Sequence, residues 1–451
     1  MRKIISEETV LFIGVVKWII LATVIGIIVG TATAFFLNLL RYSILHCREY
    51  SYYFLLLPFA MLFTTVLTKY IVPEAAGHGT EKVIEAIHKN SGRIKFIVVP
   101  VKAVTTIVTI ALGGSAGKEG PCAQIGGGLA STFADIFRFS DIDRKKIVIC
   151  GISAGFASVF GTPIAGAIFG VEVLFVGSIL YEVLLPSIVA GIVSFYTSMF
   201  FGIPYFYYYI KDVTVLSEAF LFKIALAGLF FGLCSVFLIV ILKSSEFIYN
   251  KIRLGKLLKS FIGGAIIVVL ALIFSTRYLG LGIEGIDSTL RNGVSYWYDS
   301  ILKTVFTSIT LTFGGSGGII TPIFFIGATS GAFFAKIFSL DVMTFSAIGM
   351  VSLLAGSANT PIAASIFAIE LFGPHIAPYA ALSCIISFLI TGHRSVYHSQ
   401  VLALKKSALL RIETGNRIDS IILQISILFL KFGRKSIKLF MSFLARIKKQ
   451  H

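Results

Sequence analysis

Apolar stretches long enough to cross a lipid bilayer recur along this chain. The runs over residues 9–40, 52–72, 181–202 and 219–242 each reach the roughly 20 residues that a spanning helix needs. Between them lie apolar stretches that glycine and proline interrupt, such as 119–137. An interrupted backbone inside a membrane is tolerated only where it lines a cavity or is buried in protein. The pattern therefore predicts an all-α polytopic membrane protein with a pathway through it.

Two stretches of the chain recur about 200 residues later. TPIAGAIFGVEV at 162–173 matches TPIAASIFAIEL at 360–371 at seven of twelve positions, and GSAGKEGP at 114–121 parallels GSGGIITP at 315–322. Interrupted segments in corresponding places of two halves are typical of transporters with a site at the interface between repeats. Close helix packing also explains the glycines, but it requires neither the paired prolines nor the shared glutamate. We therefore predict two related halves.

The composition favours one membrane domain followed by a short basic tail. Of the 451 residues, 56% are hydrophobic and 14% are charged, too few polar side chains to cover a soluble globule. We expect a first membrane repeat over 1–210, a second over 211–405 and a basic cytoplasmic tail over 406–451. Residues 401–451 carry eleven basic and two acidic side chains, which fits a segment on anionic lipid or a disordered, solvated end. This tail and the basic loop at 251–259 predict that both termini are cytoplasmic.

The formal net charge of +17 has a different meaning in a membrane protein than in a soluble one. It indicates basic loops and ends that meet membrane lipid, so we expect no nucleic-acid partner. The five cysteines and seven histidines are scattered without ligand spacing, so we expect no metal and no cofactor. The few carboxylates within apolar runs are isolated, which argues against an embedded enzyme and against a cation pathway.

One carboxylate stands at a predicted helix start inside the membrane. Glu119 follows a glycine-rich turn and Lys118, and it precedes Gly120 and Pro121. Proline in this position marks a helix N-terminus, whose N–H groups and positive end form an anion site. A carboxylate beside that site can occupy it, so we predict that Glu119 competes with a permeating anion. The alternative is a simple capping carboxylate.

Four motifs, in order, resemble those of the CLC family of chloride channels and chloride/proton antiporters. GKEGP at 117–121 is similar to the family's GREGP motif, with Lys118 in place of arginine. PEAAGHGTE at 73–81 is similar to the stretch that contains its GSGIP motif, and GGIITP at 317–322 to its GxFxP segment. GHRSVY at 392–397 resembles the stretch that supplies the pore tyrosine. The resemblance covers nearly the whole membrane part of the chain.

The resemblance implies a homodimer with one anion pathway per subunit. Each subunit would contain eighteen broken and tilted helices in two inverted repeats. Glu119 matches the external gate, which blocks the outer site when ionised and leaves it when protonated. Tyr397 matches the hydroxyl that coordinates the central anion. The implied backbone amide donors of the pathway lie around Gly120, Gly318, Ile319 and Ile320.

Several positions depart from the family pattern. His78 stands where the central-site serine is expected, and it either donates N–H groups to the anion or is a turn histidine that points away. Ile320 replaces the family's phenylalanine, which changes the shape of the constriction without adding charge. Lys118 and Lys102 either raise the positive potential of the pathway, or snorkel or pair with a local carboxylate.

Val173 occupies the position of the antiporters' internal proton-transfer glutamate. Valine cannot carry a proton, so we expect a channel-like flow of chloride that is not coupled to protons. The alternative is a proton-coupled antiporter of chloride, or of another anion such as fluoride or nitrate. Glu172, beside Val173, and Glu370 are related by the repeat, which favours a structural role at helix ends.

Overall fold

Two sets of eight α-helices follow one another along the chain. The computed structural model describes residues 7–205, 207–210, 218–407 and 412–420. The helices of the first set are α1 (Glu7–Arg48), α2 (Leu57–Tyr70), α3 (Gly79–Lys89), α4 (Val98–Ala111), α5 (Glu119–Ile136), α6 (Asp141–Phe160), α7 (Pro163–Glu172) and α8 (Tyr181–Phe200). Those of the second are α9 (Glu218–Lys251), α10 (Lys256–Ile273), α11 (Ile283–Asn292), α12 (Asp299–Thr312), α13 (Ile320–Ile337), α14 (Val342–Ala358), α15 (Pro361–Phe372) and α16 (Ala377–Thr391). Short 3-10 turns lie at Tyr53–Leu56, Pro73–Ala75, Thr276–Tyr278 and Pro374–Ile376.

The two sets are inverted copies of one another. Equivalent helices have similar lengths: α4 and α12 both have 14 residues, and α5 and α13 both have 18. The equivalent helices α7 and α15 run antiparallel, because a carboxylate near the end of each accepts hydrogen bonds from first-turn N–H groups of the other. These bonds join Glu172 to Ile362 and Ala363, and Glu370 to Ile164 and Ala165. The predicted all-α fold with two inverted repeats is confirmed.

The interrupted helices end where the sequence places left-handed residues and proline. Helix α6 ends at Gly161 with φ 72°, and α14 ends at Asn359 with φ 58°. Glycine and asparagine adopt this conformation at low cost, so they stop a helix readily. Pro163 and Pro361 then open the next helix, where the missing N–H is not needed. These breaks shorten α7 and α15 and place their ends inside the protein.

Glycines let the central helices of each half lie against one another. A Cβ atom on Gly126 of α5 would overlap Gly151 of α6, and the reverse is also true. The second half repeats the arrangement with Gly327 of α13 and Gly349 of α14. Such close backbone approach is typical of helix pairs inside membranes. There the hydrophobic effect does not drive helices together, and small residues allow the close van der Waals packing that does.

Seven helical segments of the described chain are long and apolar enough to cross a bilayer. They are Glu7–Arg48, Tyr53–Tyr70, Tyr181–Phe200, Glu218–Lys251, Lys256–Ile273, Ile320–Ile337 and Pro374–Thr391. Helix α13 is mostly buried inside the protein, whereas α1 exposes most of its apolar residues. The long outer helices therefore present the lipid-facing surface, and the shorter, broken helices line the interior.

The chain after Tyr397 returns to the membrane domain. Val401–Leu402 pairs in parallel with Phe175–Val176, which directly follows α7. Ile412 and Ile418 are buried against this pair. The described part of the predicted tail is thus packed on the domain, and residues 421–451, with most of its basic side chains, lie outside the described residues.

Candidate functional site

The starts of three helices meet on the axis that relates the two repeats. Gly117 and Gly318, which precede α5 and α13, exchange two backbone hydrogen bonds of 2.7 Å. His78, which precedes α3, forms a bridge with Gly317, and Gly79 lies against the carbonyl of Gly120. The N-terminal end of a helix carries partial positive charge and N–H groups without intrahelical partners. Three such ends at one place form a region suited to a small anion.

The Glu119 carboxylate occupies this region. It is completely buried and accepts hydrogen bonds from the Ile320 N–H at 2.5 Å and from Thr321 Oγ1 at 2.7 Å. Both donors lie in the first turn of α13, so the side chain binds the facing helix of the other repeat. The sequence suggested the start of Glu119's own helix as the site; the carboxylate interacts with its own backbone N–H there, and the structure adds the start of the facing helix α13. The inverted repeat explains this addition, since it brings the equivalent helix start opposite Glu119.

Glycine is required on both sides of this carboxylate. A Cβ atom on Gly117 or on Gly318 would overlap the oxygens of Glu119. The loops before α5 and α13 can approach the carboxylate this closely because neither carries a side chain here. The structure therefore brings Glu119, Gly120, Gly318, Ile319 and Ile320 together, as the motifs predict, with all five buried.

Tyr397 lies close to the same region. It is 1% exposed, and its backbone N–H is held by Ser395 Oγ at 2.9 Å. The Tyr397 side chain is near enough to Glu119 and to Glu81 to interact electrostatically with both carboxylates. The Thr80 side chain is close enough to interact with the Tyr397 hydroxyl, so the two hydroxyls lie side by side.

Thr80 is a hydroxyl that sequence reasoning missed. It is 1% exposed, it lies in the first turn of α3 close to Tyr397, and its Oγ1 has no hydrogen-bond partner among the described residues. A buried hydroxyl without a partner is costly unless something else completes it. Two features of the sequence could have pointed to Thr80. It follows His78 by two residues at a helix start, and the family that this chain resembles has an apolar residue there.

His78 is surrounded by basic groups. Its Nδ1 is buried and has no partner within the described chain. The side chains of His398, Lys102 and Lys82 act on it electrostatically. The backbone of His78 lies beside Gly317, so the residue is placed at the predicted site, and the surrounding charges make that place attractive to an anion.

Lys102 neither snorkels to the surface nor pairs with a carboxylate. Its ammonium group is completely buried and donates to the carbonyls of Ala75 at 3.2 Å and Gly77 at 2.6 Å. This positions the Lys102 nitrogen beside the loop that leads to His78. Lys303, which sequence reasoning missed, makes the equivalent bonds in the second repeat, to Tyr278 and Gly280 at 3.0 Å each.

Lys118 lines a cavity beside Glu119 and interacts electrostatically with that carboxylate. Its ammonium group makes no hydrogen bond or ion pair within the described residues. Its charge therefore acts on Glu119 and on the approach to it.

Val173 is fully buried at the end of α7, and its carbonyl accepts a hydrogen bond from the Gln400 side chain. Gln400 also caps Ala358 at the end of α14. Glu172, next to Val173, is held by first-turn N–H groups of α15, as the repeat suggested. The Val173 position therefore carries no titratable group, and the neighbouring Glu172 carboxylate is bound to the start of α15. No cluster of three or more His, Cys, Asp or Glu that could hold a metal ion occurs within the described ranges.

Comparisons with known proteins agree with this geometry. Residues 59–392 match the family model described as voltage gated chloride channel. A chloride/fluoride channel protein of Pseudomonas syringae pv. tomato is 36% identical over 402 residues, which cover 87% of this chain and 88% of that protein. A voltage-gated ClC-type chloride channel of Salmonella typhimurium is 26% identical and covers 66% of this chain and 74% of its own length.

Solved structures show the same architecture. The crystal structure of a CLC-type fluoride/proton antiporter is 27% identical, covers 88% of this chain and 99% of its own, and has a TM-score of 0.82. A slow cyanobacterial chloride/proton antiporter is 19% identical, covers 91% and 97%, and shares the fold with a TM-score of 0.74. The chain belongs to the voltage gated chloride channel family and is an integral membrane protein of anion transport.

Proposed function

We propose that this protein carries chloride through one pathway per subunit and that Glu119 is the gate. The observation that supports this is the pair of hydrogen bonds from Ile320 and Thr321 to the Glu119 carboxylate. These donors are neutral, and neutral donors hold an anion weakly enough to release it. The same donors cannot serve the carboxylate and a permeating anion together.

The gate works by competition for those donors. When Glu119 is ionised it takes the Ile320 N–H and the Thr321 hydroxyl, and the outer part of the pathway is closed. Protonation removes the charge that makes these hydrogen bonds strong, so the side chain leaves and an anion takes its place. Tyr397 and Thr80 then supply neutral hydroxyls further along, and Lys102 supplies positive potential.

We propose channel-like flow, with proton-coupled exchange as the alternative. Val173 provides no titratable group, and a proton crossing an apolar region needs one or a water wire. The related protein of Pseudomonas syringae is named a chloride/fluoride channel, which favours the first reading. The similarity to a fluoride/proton antiporter supports the alternative of proton-coupled exchange. Because the names of both relatives include fluoride, fluoride is the second candidate anion.

We further propose a homodimer with both termini in the cytoplasm and lipid on its outer helices. Helix α1 has 42 residues, about 63 Å at 1.5 Å per residue, so its two ends lie on opposite sides of the bilayer. The cavity beside Lys118 is lined by the C-terminal end of α1. With the N-terminus inside, this cavity and Glu119 face the exterior.

The test uses proteoliposomes with a chloride gradient and no proton gradient, in which chloride efflux and internal pH are recorded together. Chloride flux without sustained proton movement is the expected result. Uphill proton movement that depends on chloride and disappears in Glu119→Gln would establish the antiporter instead. Replacing chloride by fluoride in the same assay ranks the two anions, and the absence of any anion flux would refute the proposed function.

A further inference from the structure

A cavity of about 340 Å³ lies beside Lys118, outside the central region. The C-terminal end of α1 forms one wall, and the loop that leads into α11, residues 280–284, forms the floor. Its volume is within the range of cavities that hold small organic molecules. It adjoins the predicted outer approach to Glu119, because Lys118 is the neighbouring residue in the chain.

The charges that line this cavity are mainly positive. Arg41, Arg48 and Lys118 are basic, and Glu284 is the single acidic residue among its lining residues. Glu284 forms an ion pair with Arg48. Arg41 and Lys118 form no ion pair within the described residues, and Lys118 interacts electrostatically with the neighbouring Glu119. Two basic side chains thus remain available for one anionic group.

The floor of the cavity is the counterpart of the loop that carries His78. Lys303 holds the carbonyls of Tyr278 and Gly280, as Lys102 holds those of Ala75 and Gly77. The start of α11 therefore faces the cavity as the start of α3 faces the central region. Its partial positive charge adds to that of the two basic side chains.

The remaining walls are apolar. Leu37, Ile44 and Leu45 of α1 line one side, and Ile203 and Ile283 line the other. An inorganic anion would leave this surface without a partner, whereas an alkyl or aryl chain would cover it. Basic side chains at one end and apolar walls at the other fit an amphiphile with a single negative charge.

We propose that this cavity binds a single-chain organic carboxylate, with its head between Lys118 and Arg41 and its chain along α1. A carboxylate held there stands in front of Glu119 and obstructs the approach of chloride. This part of the inference rests on the proposed pathway. The ligand comes either from water or from the bilayer, and the shared chemistry is a carboxylate on an apolar chain.

The experiment uses octanoate as the water-borne probe, octan-1-ol as its uncharged match and oleate in the vesicle lipid as the membrane-borne probe. Binding of octanoate to the purified protein is measured by calorimetry, and inhibition is measured as chloride efflux from proteoliposomes. We expect octanoate to bind and inhibit, and octan-1-ol to do neither. Arg41→Gln should weaken both effects about fivefold, the upper end for an exposed charge pair, without altering uninhibited flux. Ser43→Ala, on the same helix but outside the cavity, is the matched control.

Each outcome decides a separate point. Equal inhibition by octanoate and octan-1-ol, or octanoate binding that Arg41→Gln leaves unchanged, overturns the proposal. Inhibition by oleate that Arg41→Gln weakens supports the same site with a ligand from the bilayer. Arg41-dependent binding to a protein that passes no chloride supports the binding site and refutes the proposed function. Chloride flux without octanoate binding refutes the site and leaves the pathway intact.

Discussion

The two repeats share a backbone arrangement but divide the chemistry of the proposed gate between them. At equivalent positions the first repeat has Lys118, Glu119 and Gly120, and the second has Ile319, Ile320 and Thr321. The first half supplies the carboxylate, and the second supplies the N–H and hydroxyl that bind it. A symmetric arrangement with a glutamate in each half would place two negative charges together at the axis, where they would repel one another.

Residues that are the same in both halves bind backbone groups and stabilise the fold. Lys102 and Lys303 each hold two carbonyls, and Glu172 and Glu370 each cap the start of the other repeat's helix. Lys118, Glu119 and Gly120, which differ from their counterparts, lie where we propose that an anion passes. The comparison teaches that, in this fold, a departure from the internal repeat indicates function more reliably than a match does.

The largest effect is expected from Glu119→Gln. The neutral amide gives up the two charge-assisted hydrogen bonds, worth about 1.5–3 kcal/mol each, that keep the gate closed. We expect chloride flux at pH 8 to rise at least about tenfold and its pH dependence to vanish, as measured in proteoliposomes. Glu182→Gln, which changes an exposed carboxylate paired with Lys146, is the control. Identical pH profiles for wild type and Glu119→Gln would show that Glu119 is not the gate.

The two buried lysines test whether equivalent positions have equivalent roles. Lys102→Met and Lys303→Met each leave two buried carbonyls without a donor, so each should lower the free energy of unfolding by about 1–3 kcal/mol. Thermal unfolding in detergent measures this loss. Only Lys102→Met should weaken chloride binding in flux titrations, because only Lys102 lies beside the loop that leads to His78. Equal weakening by both variants would contradict the division of labour between the halves.

A smaller effect is expected from the two hydroxyls near the centre. Tyr397→Phe and Thr80→Val each remove one neutral donor, worth about 1 kcal/mol, and leave the shape nearly unchanged. Each should reduce anion binding about fivefold, and both together should reduce it further. Anomalous diffraction from crystals soaked in bromide measures central occupancy. A bromide peak that is unchanged in Thr80→Val would remove Thr80 from the site.

The smallest effect concerns the surface charges of α3, where Glu85 pairs with Lys82 and Lys89. The hydrogen bond from Lys89, together with that from Lys82, lowers the pKa of Glu85 from 4.5 to about 2. The folded protein thus stabilises the ionised form of Glu85 more than the unfolded chain does. This contribution is complete above about pH 4.5 and is lost as the pH falls towards 2. Between pH 6 and pH 3 the unfolding temperature of wild type should fall slightly more than that of Glu85→Gln, and equal falls would exclude the contribution.

The helices, the repeat and most of the site were predictable from the sequence, because each depends on local chemistry. Apolar runs of the right length give the spans, and proline after glycine gives the helix starts. Glu119 stands out since an isolated carboxylate in an apolar run is costly. Its neighbours Gly120, Gly318 and Ile320 follow from the motifs.

The partners of these groups were not predictable, because they depend on how the halves face one another. Thr321 lies 202 residues after Glu119, and nothing near it in the sequence announces that its hydroxyl reaches the carboxylate. Nothing in the sequence distinguishes Lys303 from the other lysines, because only the fold shows that it donates to the carbonyls of Tyr278 and Gly280. Two of these partners become visible when the repeats are aligned, since Lys303 follows Lys102 by 201 residues and Thr321 is equivalent to Gly120.

The mutual capping of α7 and α15 also governs the order of events during synthesis. The N–H groups that satisfy Glu172 belong to residues 190 and 191 positions later in the chain. At about 5–20 residues per second, the ribosome needs roughly 10–40 s to produce them after Glu172 has been made. Until then the first half holds a carboxylate in the membrane without its final partners. The nascent first half therefore cannot reach its mature form alone, and the last helices to be inserted complete the first ones.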